Sequence, residues 1–412
     1  MRPLSLVLGL IATSSAFAAD FSAESAYASD SAGNPASVRM GEPFWMTVKY
    51  QVGQNAWGTM AVSTPWRQLV SGSFLNYAGP RQATFGPIIP LFDGPIPVKV
   101  SIGDAVIQTE VRPERPSQTI EYYAPQTWQA NFGGALQFRP GQTAKVEWLL
   151  PKAPTFGFQS VALSRSQDLQ LVDSEVYRLL NAPSTEASFQ ATVRSVRVDA
   201  QALRTVGFTA LKKIPNDVKE FLKAETLIES GDKNVKNLVT ATLPKNFQKT
   251  ASIYDSASAL FRAVVARIQY VEMQGGKPSA AQALRTGYGD CGYFSAAFVA
   301  ACRQAGIPAR PITGFLAGSD QWHVWAEFYV PGYGWVPVDP SYADGEDPQG
   351  TYPLYFGVIP NLNERVATAI GFDHSFSKYK LPILQSPFAI TDVKKVASAS
   401  VWCNLTAFGP SN

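Results

Sequence analysis

The spacing of apolar residues changes near residue 199, and this change limits what each half of the chain can fold into. Between residues 21 and 199, apolar and polar residues alternate in short runs that Gly and Pro interrupt, as in 44–50 and 98–102. A period of two is typical of strands that bury one face. From residue 253 to 268, apolar residues recur at helical spacing instead. The sequence therefore predicts a β-rich first half and a mixed second half.

The β-rich half predicts an antiparallel sandwich, because its strands are short, numerous and separated by turn residues. Two prolines within 112–116 interrupt any strand ladder there, so a first sandwich domain is expected at 19–123. Residues 124–199 are expected to form a second β-rich domain or to continue the first. An α+β domain is expected at 200–385, and a C-terminal tail at 386–412.

Residues 1–18 have the pattern of a secretory signal peptide. Arg2 precedes an apolar core at 4–11, and the segment ends in the small-residue pattern Ala-Phe-Ala at Ala18. This core is well short of the roughly 20 residues that a spanning helix needs, and no later apolar stretch approaches that length. We therefore expect cleavage after Ala18 and an exported protein that is periplasmic, secreted or bound at the cell surface, with no membrane span in the mature chain.

The charge balance and the scarcity of cysteine and histidine exclude several classes of protein. The formal net charge is only +3, and no basic run is interleaved with aromatic residues, so no nucleic-acid partner is expected. The chain has three cysteines and two histidines, with no C-x-x-C pair. A structural zinc site is therefore not expected, and no cofactor site is predicted.

The odd number of cysteines predicts one unpaired thiol in an exported protein and leaves room for one disulfide. Cys291 and Cys302 lie on one predicted helix, about 16 Å apart at 1.5 Å per residue, which is too far for a bond. Cys302 can pair with Cys403, or both can remain thiols. The sequence leaves these two alternatives open.

Three residues in the second half have the types and order of a nucleophile, a base and an orienting acid. Cys291 lies in the run Gly-Asp-Cys-Gly-Tyr, His323 in Trp-His-Val-Trp and Asp339 in Val-Asp-Pro. A cysteine is mostly protonated near neutral pH, and a neighbouring histidine converts it to the attacking thiolate. A carboxylate then orients the imidazole and stabilises its charged form.

The local pattern predicts how these side chains are held. Asp290 is a plausible N-cap, which places Cys291 in the first turn of a helix, where the positive helix end favours a thiolate. His323 and Asp339 lie on the two strands of a predicted hairpin. A symmetric hairpin would place Asp339 opposite Ala326, roughly 10 Å along the strand from His323 at 3.3 Å per residue.

A bulge or stagger is therefore expected to bring His323 and Asp339 together. Pro337 is the candidate for it, because proline cannot donate to a strand ladder.

Three blocks of sequence around these residues resemble the transglutaminase-like cysteine superfamily. They are Gly289-Asp290-Cys291 continuing to Ala305-Gly306-Ile307-Pro308-Ala309-Arg310 and Gly314, then His323-Val324-Trp325-Ala326-Glu327, then Gly334-Trp335-Val336-Pro337-Val338-Asp339-Pro340. The resemblance covers about residues 250–340.

The resemblance implies an α+β papain-like domain, with the cysteine at the start of a helix that packs on an antiparallel sheet. It implies Cys291 as nucleophile, His323 as base and acid, and Asp339 as orienter. Members of the family also stabilise the oxyanion with a backbone amide at the cysteine and with an upstream aromatic or polar side chain, for which Tyr288 is one candidate. The expected fold class is thus multidomain, with an N-terminal all-β sandwich region followed by this domain.

The chemistry that the resemblance implies is acyl transfer at a peptide or amide bond through a thioester. Water as acceptor gives a cysteine peptidase or amidase, and an amine as acceptor gives an acyltransferase, because the same three groups serve both. The expected partner is a protein, a peptide or a cell-wall peptide. The alternative is a catalytically inactive domain that serves as an extracytoplasmic binding or assembly module.

Overall fold

The chain folds as two units, and the boundary between them lies inside the strand-rich half rather than at the change of period. A computed structural model divides the chain into two units, Met1–Glu114 and Arg115–Asn412. The expected signal peptide lies outside the described residues. The structure describes residues 21–38, 44–63, 68–88, 95–103, 105–113, 120–142, 144–166, 169–172, 176–179, 185–273, 277–317, 319, 321–346, 355–376, 379–393 and 395–407.

The first unit consists of antiparallel strands in two sheets, ordered β1-β2-β5 and β4-β3-β6-β7. Alternate residues of β6 are buried, as the period of two predicts. Its core includes Met46, Val48, Met60 and Val100. The strands are β1 Phe21–Ser29, β2 Phe44–Val52, β3 Ala56–Ser63, β4 Gln68–Asn76, β5 Gly79–Ile88, β6 Ile96–Ile102 and β7 Ala105–Val111.

The second unit begins with further strands that pair with strands from the other end of the chain. The two sheets are ordered β10-β13-β8-β23 and β11-β12-β9-β22. The strands are β8 Glu121–Gln137, β9 Val146–Pro151, β10 Gln159–Ser166, β11 Leu169–Val172, β12 Val176–Leu179 and β13 Glu186–Asp199, with β22 Phe388–Thr391 and β23 Ser398–Ala407 in the C-terminal part.

Residues 386–412, expected as a tail, therefore contribute two strands to these sheets. β23 pairs with β8 from Ser398 opposite Gln137 to Ala407 opposite Trp128. The edge of β8 offers unpaired backbone groups that β23 satisfies, so the segment is part of the fold rather than an appendage.

The mixed region of helices and strands comes after β13 and before β22 in the chain. The helices are α1 Asn216–Lys219, α2 Lys233–Thr242, α3 Phe247–Thr250, α4 Ile253–Arg267, α5 Ala280–Thr286, α6 Cys291–Gln304 and α7 Pro340–Glu346, with 3₁₀ turns at Gln201–Thr205, Phe208–Lys213, Glu220–Leu222 and Leu362–Glu364. The strands are β14 Gln269–Tyr270, β15 Tyr288–Gly289, β16 Ala309–Leu316, β17 Gln321–Val330, β18 Gly334–Val338, β19 Arg365–Ile370, β20 His374–Phe376 and β21 Tyr379–Leu381.

Helix α6 packs on an antiparallel sheet ordered β18-β17-β16-β19. The Ser295 hydroxyl donates to the carbonyl of Val324 on β17 at 3.2 Å. Helix α6 is buried on nearly every side and ends before Gly306, whose φ of +83° suits a residue without a side chain. The helix and the sheet together position the residues of the candidate site.

The other face of this sheet packs on the β-rich part of the same unit. Phe315 of β16 and Val366 of β19 belong to one buried apolar cluster with Phe132, Trp148 and Phe189. This shared core explains why residues 120–199 group with the mixed region rather than with the first unit. Among the described residues, none of the helices combines the length and apolar character needed to cross a membrane.

Candidate active site

Cys291 is the first residue of α6, and Asp290 caps the helix as the sequence predicts. The Asp290 Oδ1 atom accepts hydrogen bonds from the backbone N–H groups of Gly292 at 2.9 Å and Tyr293 at 3.4 Å. A carboxylate in this position satisfies donors that the first helical turn would otherwise leave unpaired. The cysteine side chain is partly buried.

The His323 imidazole and the Asp339 carboxylate are in direct contact. His323 Nε2 donates to Asp339 Oδ2 at 2.8 Å, and both side chains are buried. The expected bulge at Pro337 is wrong, because β17 and β18 pair without a shift, with Ala326 opposite Val338. Asp339 comes just after β18, so the contact runs diagonally across the hairpin, and the imidazole of His323 covers most of the offset between the two backbones.

Asp339 also contacts a residue that sequence reasoning missed. Arg365 Nη1 lies 2.6 Å from the same Oδ2 atom. The other carboxylate oxygen accepts hydrogen bonds from the Ser341 hydroxyl at 2.9 Å and from the Tyr342 backbone at 3.2 Å. Burial alone would raise the pKa of Asp339, but the charges and hydrogen bonds of His323 and Arg365 outweigh it and hold the pKa well below its usual range.

The thiol of Cys291 is protonated in the resting site. Burial raises its pKa to about 12, and the neighbouring Asp290 carboxylate adds to the rise. Hydrogen bonds from the backbone N–H groups of Val324 and Gly292 act in the opposite direction. The helix start therefore does not produce a thiolate in this state, because burial first and the Asp290 carboxylate second favour the protonated thiol. The Val324 contact places the sulfur beside the strand that carries His323.

Tyr270 is a second residue that sequence reasoning missed. It pairs with Gly289 across the short parallel ladder of β14 and β15. Burial raises the pKa of its phenol to about 12, and the charges of Cys291 and Asp290 add to the rise. Tyr270 is 47% exposed, similar to the 50% of Tyr288, the candidate from sequence.

Aromatic rings and one amide hold the histidine in place. The His323 ring stacks on Trp325 at a centroid distance of 6.3 Å and meets the edge of Tyr342 at 5.1 Å. Gln385 Nε2 donates to the His323 carbonyl at 2.8 Å. Both the ring plane and the backbone of the histidine are thus supported by their neighbours.

The other cysteines and the second histidine lie in different surroundings. Cys302 is a buried thiol within α6 and Cys403 a buried thiol on β23, and no disulfide joins them, which decides between the two alternatives from the sequence. His374 Nε2 contacts the Gly371 carbonyl at 2.9 Å. Within the described ranges, no cluster of acidic, cysteine and histidine side chains could hold a metal ion.

A cavity of about 420 Å³ lies elsewhere in the second unit. Its lining comes from β10, β13 and β19 and from residues 152–155, which follow β9. None of Cys291, His323 and Asp339 is among its lining residues. The Cys291 thiol, which contacts the backbone of Val324, and the pair of His323 and Asp339 lie instead where α6 contacts the hairpin.

Comparison with known proteins gives matches among solved structures and to one family model. Among solved structures, a candidate cysteine protease from Cytophaga hutchinsonii is 20% identical with a TM-score of 0.48, over 71% of this chain and 95% of that one. A candidate protease from Parabacteroides distasonis is 12% identical with a TM-score of 0.24, over 72% of this chain and 63% of that one. No curated protein matches the sequence.

The match to a protein family is confined to the region that contains the site. The family model described as Transglutaminase-like superfamily covers residues 241–340. Cys291, His323 and Asp339 all lie inside this range. The chain therefore carries, at residues 241–340, a domain of the transglutaminase-like superfamily.

Proposed function

We propose that this domain catalyses thiol-dependent acyl transfer at peptide or amide bonds. Cys291 is the nucleophile, His323 the base and acid, and Asp339 the orienter. The observation that carries the proposal is the 2.8 Å contact between His323 Nε2 and Asp339 Oδ2, beside a thiol that contacts the backbone of Val324. Three groups in these roles are what nucleophilic catalysis by cysteine requires.

The contacts of His323 suggest the order of proton transfers. Because Nε2 is engaged by Asp339, Nδ1 is the ring nitrogen that remains to accept the thiol proton. The sulfur attacks the carbonyl carbon as the proton moves to Nδ1, and Asp339 stabilises the resulting imidazolium. The imidazolium then protonates the leaving amine, the C–N bond breaks and a thioester remains. Tyr270, which pairs with Gly289 two residues before Cys291, is the candidate donor to the oxyanion.

The thioester is then resolved by water or by an amine, and we propose water as the default acceptor, which makes the protein a peptidase or amidase. Incubation with a peptide amide and a labelled primary amine separates the two reactions. Release of free acid without incorporation of the label supports hydrolysis. Incorporation of the label into the peptide would assign the acyltransferase reaction instead.

We also propose that the protein acts outside the cytoplasm on a protein, a peptide or a cell-wall peptide. The support is the sequence of residues 1–18, with its single positive charge, apolar core and small-residue end. N-terminal sequencing of the protein from its native host should begin at Ala19. A mature protein that still begins at Met1 would contradict export by this route.

The Cys291→Ala variant tests the enzyme proposal. Removal of the sulfur should abolish turnover and also selective labelling by iodoacetamide, because no other group in the site can form the thioester. Cys302→Ala is the matched control, since it removes a thiol from the same helix and leaves the site intact. Equal turnover in Cys291→Ala and in the unchanged protein would contradict the proposal.

A binding or assembly module is the second candidate function, and the protonated state of Cys291 favours it. A thiol whose pKa lies at about 12 is a weak nucleophile unless a base removes its proton. If iodoacetamide fails to label Cys291 near neutral pH and no peptide is turned over, the domain acts as a module. Labelling at Cys291 well above the rate at Cys302 supports the enzyme.

A further inference from the structure

The Asp339 carboxylate has two cationic or potentially cationic partners rather than one. His323 and Arg365 both contact its Oδ2 atom, at 2.8 and 2.6 Å. The Arg365 side chain is fully buried, and its guanidinium lies between the rings of Trp325 and Tyr342, at 5.4 and 5.3 Å from their centroids. A buried arginine that contacts the acid of the site changes the charge that the histidine experiences.

Arg365 is held by a neighbouring side chain on its other side. Its Nε and Nη2 atoms donate to Asn361 Oδ1 at 3.2 and 2.9 Å. The guanidinium is therefore fixed at both ends, with Asp339 on one side and Asn361 on the other. Its orientation does not depend on the presence of a substrate.

The β-rich part of the unit fixes the backbone around Arg365. The Ser195 hydroxyl of β13 donates to the Arg365 carbonyl at 2.9 Å. Asn363, two residues before it, accepts at its side-chain oxygen from Arg197 Nε at 3.0 Å and at its carbonyl from Trp128 Nε1 at 2.9 Å. Strands β8 and β13 thus determine where the guanidinium lies.

We propose that Arg365 is a positioning residue that neutralises part of the charge of Asp339 and so weakens the pull of this carboxylate on the proton of His323. The inference rests on the proposed function, since it concerns the base of that reaction. With part of its charge balanced by Arg365, the carboxylate orients the imidazole and favours the charged form of the ring less strongly than an unpaired carboxylate would. His323 can then accept the proton of the Cys291 thiol as the sulfur attacks.

The groups around His323 come from several elements. Helix α6 contributes Cys291 and Asp290, and Asp290 acts on the ring by its charge. Asp339 and Tyr342 lie at the start of α7 and Arg365 on β19. Two uncharged neighbours complete the surroundings: Gly314 lies opposite His323 on β16, and Gln385 bonds its carbonyl. Arg365 is the permanent cation in this set.

The sign of the expected effect follows from this arrangement. Removal of the guanidinium leaves Asp339 uncompensated, and an unbalanced carboxylate favours the charged form of a neighbouring histidine. His323 should therefore bind its proton at higher pH in Arg365→Gln. A residue that only filled space would lower stability without moving the titration of the ring.

Histidine titration followed by NMR tests the proposal in the full chain. The sequence contains only two histidines, so labelled imidazole carbons give two resolvable curves. In a Cys291→Ala background, which removes the coupled thiol, Arg365→Gln should raise the titration midpoint of His323 by roughly one pH unit. His374, which contacts Gly371, serves as the internal reference and should not move.

Two further variants separate charge from packing. Arg365→Lys keeps the positive charge and should hold the His323 midpoint within a few tenths of a pH unit of the background protein. Arg310→Gln removes another buried arginine from the same sheet, one paired with Glu327 at 2.8 Å, and should leave the midpoint unchanged. A His323 midpoint that stays or falls in Arg365→Gln, or that rises equally in Arg310→Gln, overturns the inference.

Asn361→Ala tests the same inference if Arg365→Gln does not fold. Release of the guanidinium from Asn361 should raise the titration midpoint of His323 by a smaller amount, and no rise overturns the inference. With Cys291 present, the acid limb of kcat/KM should move with the midpoint. A raised midpoint in a protein that turns over no peptide would refute the proposed function and leave the charge-balancing role standing.

Discussion

At the scale of single residues, Asp290 has two effects that oppose each other. Its carboxylate caps α6 through the backbone of Gly292 and Tyr293, which stabilises the helix that carries the thiol. Its charge also contributes, after burial, to the raised pKa of Cys291. A stable helix start is therefore obtained at some cost in thiol reactivity.

Asp290→Asn separates these effects. Asparagine is also a good N-cap, so the helix should be retained while the negative charge is removed. The pKa of the thiol should fall, and alkylation of Cys291 near neutral pH should become about threefold to tenfold faster. Asp290→Ala is the control: it removes the charge but also the cap, and should lower the free energy of unfolding by about 1 kcal/mol. Slower alkylation in Asp290→Asn would contradict this reading.

The sequence could identify part of the site because residue type, order and local spacing carry that information. Cys291, His323 and the cap Asp290 each lie in a short motif with a chemical reason. Arg365 and Tyr270 have no such motif, and only tertiary packing brings β19 to Asp339 and β14 to the start of α6. The bulge expected near Asp339 is also wrong, because the spacing of residues along a strand gives the positions of the backbones and not the reach of the side chains across a hairpin.

At the scale of elements, β8 is the strand on which both faces are covered by indole rings. A side chain at Gly133 would overlap the indole of Trp402, and one at Gly134 would overlap that of Trp148. Trp402 comes from β23, which pairs with β8, and Trp148 belongs to β9. Two adjacent glycines thus allow two large rings to lie against the strand, one on each face.

Gly133→Ala tests this packing. The added methyl group has no room, so the free energy of unfolding in urea should fall by about 1 to 3 kcal/mol. In a Trp402→Ala background, the same change should cost much less, because the ring it would meet is gone. Gly231→Ala is the control, since a Cβ there meets no atom within 4 Å. Equal costs with and without Trp402 would show that the ring is not the cause.

The pairing of β8 with β23 could not be predicted from the sequence. Alternation in 124–199 indicates strands, but backbone pairing between distant segments leaves no local signature that names the partner. The segment 398–407 is mostly exposed along its length, with Cys403 as its buried residue. A strand with only one buried residue leaves little apolar alternation in the sequence, so the sequence indicates a tail at residues 386–412.

At the scale of the whole molecule, the site is where several elements of the second unit meet. Asp339 connects the hairpin of β17 and β18, helix α7 and strand β19 through His323, Ser341 and Arg365. The change of period near residue 199 predicted that strands precede a mixed region. It could not indicate that these strands share a core with that region.

The ionisation of Asp339 should make the stability of this unit depend on pH. Its folded-state pKa lies below the unfolded value of about 4, so its contribution is present above that pH and is lost as the pH falls below it. Asp339→Asn should lower the urea midpoint near neutral pH. The difference in urea midpoint between the two proteins should be constant above about pH 5 and should narrow as the pH falls from about 4 towards about 2. A constant difference over this interval would contradict the assignment.

The pairing of β8 with β23 has a consequence for the order in which the protein can assemble. A chain leaves the ribosome from its N-terminus, and β8 emerges long before the strand that completes its sheet. The edge of β8 that pairs with β23 therefore stays unpaired while the segments that carry Cys291, His323 and Arg365 are synthesised. Loop closure over so long a separation is slow. The sheet of β10, β13, β8 and β23 can therefore be completed only after residue 407 has been synthesised.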